Sequence, residues 1–121
     1  MNITTVQKNG ADIALIHSSE ELITDVQSAL DLIATVHYET GCHRIVLHKS
    51  AITETFFDLK TKLAGEILQK FITYQTKIAI VGDFSAYSSK SLRDFIYECN
   101  HGKDIFFLAS EQEAVEKLSH L

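Results

Sequence analysis

Proline and tryptophan are absent from the 121 residues, and cysteine occurs twice. Without proline there is no cis-proline turn and no proline-rich ligand segment. Cys42 and Cys99 are too few for the disulfide framework of a small secreted domain, and are read as two reduced thiols. No apolar run approaches the ~20 residues that cross a bilayer. The start, Met1-Asn2-Ile3-Thr4-Thr5, has neither the basic region nor the apolar stretch of a secretion signal. Positive charge is also scarce: 11 Lys and Arg stand against 16 Asp and Glu, a net charge of −5. Binding to nucleic acid or to an anionic membrane needs a basic face, so neither is expected. The expected setting is the cytoplasm.

What is present is globular in character, with 45% hydrophobic and 22% charged residues, in a length suited to one domain. Residues 3–8 and 11–17 are β-prone runs around Asn9-Gly10, a strong hairpin signal. A helix is expected over roughly 21–39, with Leu22, Val26, Leu30, Ile33 and Val36 or His37 recurring at helical spacing. Ser18, Ser19 or Thr24 would cap its start, and Gly41 its end. Residues 44–48 form a short apolar strand. A long helix follows within 53–75, striped by Phe56, Leu59, Leu63, Ile67 and Phe71. Lys77 to Val81 reads as a buried parallel strand ending at Gly82-Asp83. A helix over about 89–100 presents Leu92, Phe95, Ile96 and Cys99 inward. Strand 104–108 and helix 111–120, capped by Ser110 with Glu113 three residues on, complete the chain. The order ββαβαβαβα predicts an α/β fold with one mostly parallel sheet, right-handed crossovers and an antiparallel edge strand.

The segments Phe56 to Phe71, Ile78 to Ser85, Ser91 to Glu98 and Ala29-Leu30-Asp31-Leu32 resemble an uncharacterised bacterial family, domain of unknown function 4180. The resemblance covers nearly the whole chain and implies no particular activity. The element order resembles the STAS-like fold of sulfate-transporter and anti-sigma-antagonist domains. That resemblance implies helices over one side of the sheet. Regulatory members carry an Asp-Ser-Ser-Gly motif with a phosphorylated serine before the second helix. Here the nearest stretch is Asp58-Leu59-Lys60-Thr61, with leucine at the serine position and no glycine, which weighs against such a switch.

Three places are candidates for function. The first follows strand 77–81, because ligands of open α/β sheets sit beyond the carboxyl ends of the strands. Gly82 admits a close backbone approach, and Asp83, Ser85, Ser88, Ser89 and Lys90 surround a helix start that favours anions. The competing account is a turn at Gly82-Asp83 with Ser88 as a helix cap. The second gathers Asp58, Lys60, Thr61 and Glu66; if 58–66 is one helix, Asp58, Lys62 and Glu66 form an ordinary solvated face. Gly65 in that helix is expected to mark tight packing against another backbone. The third is Arg93, Asp94, Glu98 and Asn100, a charged helix face suited to a protein partner or to solvent alone.

Six histidines, His17, His37, His43, His48, His101 and His120, show no metal-ligand spacing, and there is no nucleophile elbow. No cofactor or metal is expected. These observations favour a non-catalytic regulatory or binding module for a protein partner or a small anionic ligand. The alternative is a small enzyme for a polar metabolite, with Asp83, Ser85 and Lys60 converging above the strand ends. A homodimer is also expected to be compatible with the chain, through the hairpin's open sheet edge or an uncovered sheet face.

Overall fold

The computed structural model describes residues 1–121. Strand β1 (Asn2–Lys8) and strand β2 (Ala11–His17) form the expected antiparallel hairpin. Asn9 and Gly10 take φ of 53° and 79°, the left-handed values that a two-residue turn between twisted strands requires. Helix α1 (Val26–Thr40), strand β3 (Arg44–His48), helix α2 (Leu63–Thr73), strand β4 (Lys77–Val81), helix α3 (Lys90–Asn100), strand β5 (Ile105–Leu108) and helix α4 (Glu111–Ser119) follow in order. The sheet runs β1-β2-β3-β4-β5, parallel from β2 onward. No helix is long and apolar enough to cross a membrane.

Because each crossover steps one strand in the same direction, right-handedness places α1, α2 and α3 on one face. There Ala14, Ile16, Ile45, Leu47, Ile78, Ile80 and Phe107 meet Leu32, Ile33 and Val36 of α1, Ile67 and Phe71 of α2, and Leu92 of α3. The alternate strand residues Ile13, Leu15, Val46, Ala79, Val81 and Phe106 point the other way and are covered by Ala114 and Leu118 of α4. The expectation that helices lie on one side is therefore corrected. Helix α4 follows the last strand, so no crossover fixes its side, and its apolar stripe closes the face left open. The uncovered face offered as a reason for a homodimer does not exist; the free edge of β1 does.

Helix α1 begins later than its apolar spacing predicts. Asp25 and Ser28 form a reciprocal capping box, whereas Ser18, Ser19 and Thr24 do not cap the helix. Leu22 and Ile23 instead donate backbone bonds to Ala51 O at 2.7 and 3.0 Å, and Ile23 is buried beside Ile52. Gly41 ends the helix at φ 71°, as expected.

The long helix over 53–75 is also corrected. Glu54–Phe57 and Leu59–Thr61 are separate 3₁₀ turns, and Lys62 stands in the left-handed region at φ 65°. The cause is side-chain competition for the backbone. Asp58 accepts from Lys60 N, and the Thr61 hydroxyl donates to Asp58 O at 2.8 Å and Thr55 O at 3.2 Å. Asp58, Lys62 and Glu66 therefore share no helix face. Gly65 is exposed, and a Cβ there would meet nothing within 4 Å, so tight packing is not its reason.

Candidate functional site: a cleft beyond the ends of β3 and β4

Strands β3 and β4 are in register with His48 beside Val81. The next residues, Lys49 and Gly82, are thus neighbours where the strands end. The Lys49 side chain lies across Gly82 so closely that a Cβ on the glycine would fall 2.7 Å from its Cγ and Cδ. Lys49 Nζ then donates to Asp83 O at 2.8 Å. It also sits over the rings of Tyr87 and Phe84, 5.0 and 5.8 Å from their centroids. Gly82 is a passage for this lysine rather than an approach for a ligand.

The loop after Gly82 is anchored by aromatic packing. Tyr87 stacks on Phe57 at 5.2 Å between centroids, and Phe84 meets Phe107 edge-on at 5.4 Å. Asp83 Oδ1 accepts from Ser85 N at 2.9 Å and from Ser85 Oγ at 2.6 Å. These bonds hold the Asp83 carboxyl below its ordinary value. Ser89, not Ser88, caps α3 by accepting from Leu92 N. The Tyr87 hydroxyl donates to Glu54 Oε1 at 2.6 Å. Burial, this bond and the adjacent carboxylate all push the phenol well above its ordinary value, so it stays protonated.

Between this loop and the 3₁₀ turns lies a cleft of about 660 Å³. Phe57, Leu59, Ala86 and Tyr87 supply its apolar lining, and Glu54, Asp58, Lys60 and Ser88 are among its polar residues. The structure therefore brings Asp58 and Lys60 from one predicted place together with Ser88 from another. Gly82, Asp83, Ser85 and Thr61 do not line the cleft; they hold the loops that form it. Arg93 lies exposed on α3, where Lys90 pairs with Asp94 at 2.7 Å, and it does not reach the cleft. Asn100 bonds both backbone groups of Phe107 and is structural. Asp83 and Ser85 bond each other behind the cleft, and of the three residues of the enzyme alternative only Lys60 lines it. The sequence reading missed Lys49, Glu54 and Tyr87. The signal for Lys49 was a lysine following one apolar strand and a glycine following the next.

A second cleft, of about 320 Å³, lies at the carboxyl ends of the strands on the α4 face. Alternation puts His17 and His48 on the same side as Leu15 and Val46, and the register of β2 with β3 makes them neighbours. His17 Nε2 lies 2.7 Å from Glu111 Oε2 at the start of α4. His48 Nδ1 accepts from Ser50 N at 3.0 Å, which leaves Nε2 as the protonated nitrogen of the neutral ring. No three metal-ligating side chains converge anywhere in the chain. The two thiols are free; Cys42 is buried, and burial and Glu98 push Cys99 up to about 11.

The chain is thus an α/β module: a parallel sheet extended by one antiparallel edge strand, with loop-built clefts beyond its strand ends. It belongs to the family described as Domain of unknown function (DUF4180), which matches residues 8–118. No curated protein matches it in sequence. Among solved structures it is similar to one from Thermotoga maritima described as an anti-sigma factor antagonist. The two share 13% identity with a TM-score of 0.46, over 95% of this chain and 92% of the other.

Proposed function

We propose that this chain is a non-catalytic, cytoplasmic binding module that takes a segment of a protein partner in the cleft between residues 54–60 and 86–91. One observation carries the reading. Glu54, Asp58 and Ser89 at the cleft are already bonded to Tyr87 or to backbone, while Leu59, Ala86 and Tyr87 keep apolar surface accessible beside buried Phe57. Tyr87 and Glu54 are joined, and Asp58 caps a turn. Such a surface is stiff and preformed, which lowers the ordering cost of binding. Two carboxylates, Glu54 and Asp58, face one ammonium, Lys60, so the lining suits an apolar side chain flanked by a basic residue. A small anion would meet both carboxylates, and for that reason the protein partner is preferred.

The test is capture from the host lysate with the wild type and two exposed variants. Ala86→Arg adds bulk and positive charge in the cleft, and Gln112→Arg adds the same charge on α4. The reading predicts a partner held by wild type and Gln112→Arg and lost by Ala86→Arg. A partner retained by Ala86→Arg, or a small anion as the sole bound mass, contradicts it.

A second reading, a small enzyme acting on a polar metabolite, has support in the second cleft. With His17 Nε2–H donating to Glu111, His17 Nδ1 is left as an acceptor, the arrangement of an oriented base. On that reading the wild type turns over a polar metabolite and His17→Gln does not. A wild type inert toward a panel of polar metabolites removes it.

A further inference from the structure

The two edges of the sheet are treated differently by the chain. On β5, a strand of four residues, Asn100 donates to Phe107 O at 3.1 Å and accepts from Phe107 N at 2.7 Å. Its side-chain amide occupies the place a neighbouring strand would take. On β1, seven residues long, nothing plays that part. The two-residue turn closes on a bonded pair, Lys8 with Ala11. Bonded pairs alternate along an antiparallel ladder, so Asn2, Thr4, Val6 and Lys8 face β2. Ile3, Thr5 and Gln7 direct their N–H and C=O groups outward, and none of these has a partner among the turn, loop and cap bonds. The strand has no proline and no bulge in its register, and its one charge, Lys8, lies at its end and pairs with Glu116. The usual devices against edge pairing are missing.

We infer that this edge is a homodimer interface, in which β1 pairs antiparallel with β1 of a second copy about a two-fold axis at Thr5. The outward set of residues 3, 5 and 7 maps onto itself under that axis. Thr5 faces Thr5 of the second copy, and Ile3 faces Gln7 twice, so all six free groups on each strand find partners. Any other antiparallel register leaves some of them unpaired. A second copy is the fitting occupant because the strand is self-complementary: Thr4 meets Val6, Asn2 meets Lys8, and no like charges are opposed. The axis extends the sheet to ten strands, keeps both α4 helices on one side, and leaves both clefts open. The inference stands apart from the cleft reading, since β1 is the edge strand farthest from β4 and β5.

The test is the solution mass of the full chain by light scattering on a sizing column, which is expected to be that of a dimer. Thr5→Pro removes only an outward N–H on each copy, two hydrogen bonds in all, and is expected to weaken dimerisation by roughly thirtyfold. Thr5→Lys sets two lysines face to face and is expected to give monomer, which keeps the test open if the proline variant fails to fold. With Cys42 and Cys99 replaced by alanine, Thr5→Cys is expected to cross-link to itself under mild oxidant far faster than Ile3→Cys or Gln7→Cys. A monomeric wild type overturns the inference. A dimer that survives Thr5→Lys places the interface elsewhere, and equal cross-linking at residues 3, 5 and 7 overturns the register.

Discussion

Among single residues, the histidine on α1 shows how environment sets stability. His37 packs against His43 with ring centroids 4.3 Å apart, and its Nε2 lies 2.9 Å from the hydroxyl of buried Thr76. Desolvation, and then repulsion from His43, hold its pKa below the ordinary 6.5. The folded chain therefore binds this proton at lower pH than the unfolded chain. Above 6.5 both states are neutral at this site and it contributes no pH dependence. As pH falls below 6.5 the unfolded state gains the proton first, so stability declines until the folded value is passed. His37→Gln is expected to flatten the fall in Tm between neutral and mildly acidic pH. An unchanged slope contradicts the assignment. The carboxyls of Asp25, Asp83 and Glu116, held low mainly by hydrogen bonds from Ser28, Ser85 and Lys8 respectively, act at still lower pH. Their contribution is present above the ordinary carboxyl range and is lost as pH falls through the lowered values.

Between elements, the contact that shapes the candidate site is Lys49 across Gly82. Gly82→Ala forces the lysine stem aside, which loses its bond to Asp83 O and its place over Tyr87. The cost is expected to be about 1–2 kcal/mol of stability. In a Lys49→Ala background the same substitution is expected to cost little, so a double-mutant cycle reads a strong coupling; additive effects contradict the contact. This level is also where sequence reading and structure part. The hairpin, the order of elements along the chain and the cap at Ser110 were legible, because turn chemistry and period-two or helical spacing mark them locally. The 3₁₀ turns before α2 were not, because Phe56, Leu59 and Leu63 keep helical spacing while Asp58 and Thr61 draw the backbone into turns. Lys62 at positive φ has no signature in its residue type. The side taken by α4 was hidden as well, since an apolar stripe announces burial without saying against which face.

For the whole molecule, the fold divides its surface by role. One sheet edge is masked by Asn100 and the other is open at β1. Both sheet faces are covered, and the strand ends carry the clefts. Of the candidate residues, Asp58 and Lys60 reach one cleft with Ser88 and Ser89, although the sequence assigns the two pairs to separate places. That convergence depends on the crossing of the 3₁₀ turns and the loop after β4, which no spacing rule contains. The polar residues that looked most like chemistry, Asp83, Ser85 and Thr61, serve the loops. The central claim, recognition of a partner segment in the cleft, is tested most directly by amide hydrogen exchange of the full chain with and without the captured partner. The account predicts new protection in residues 54–60 and 84–91, with β1 and α4 unchanged by the partner. Protection confined to α4, or no change around the cleft, would contradict it.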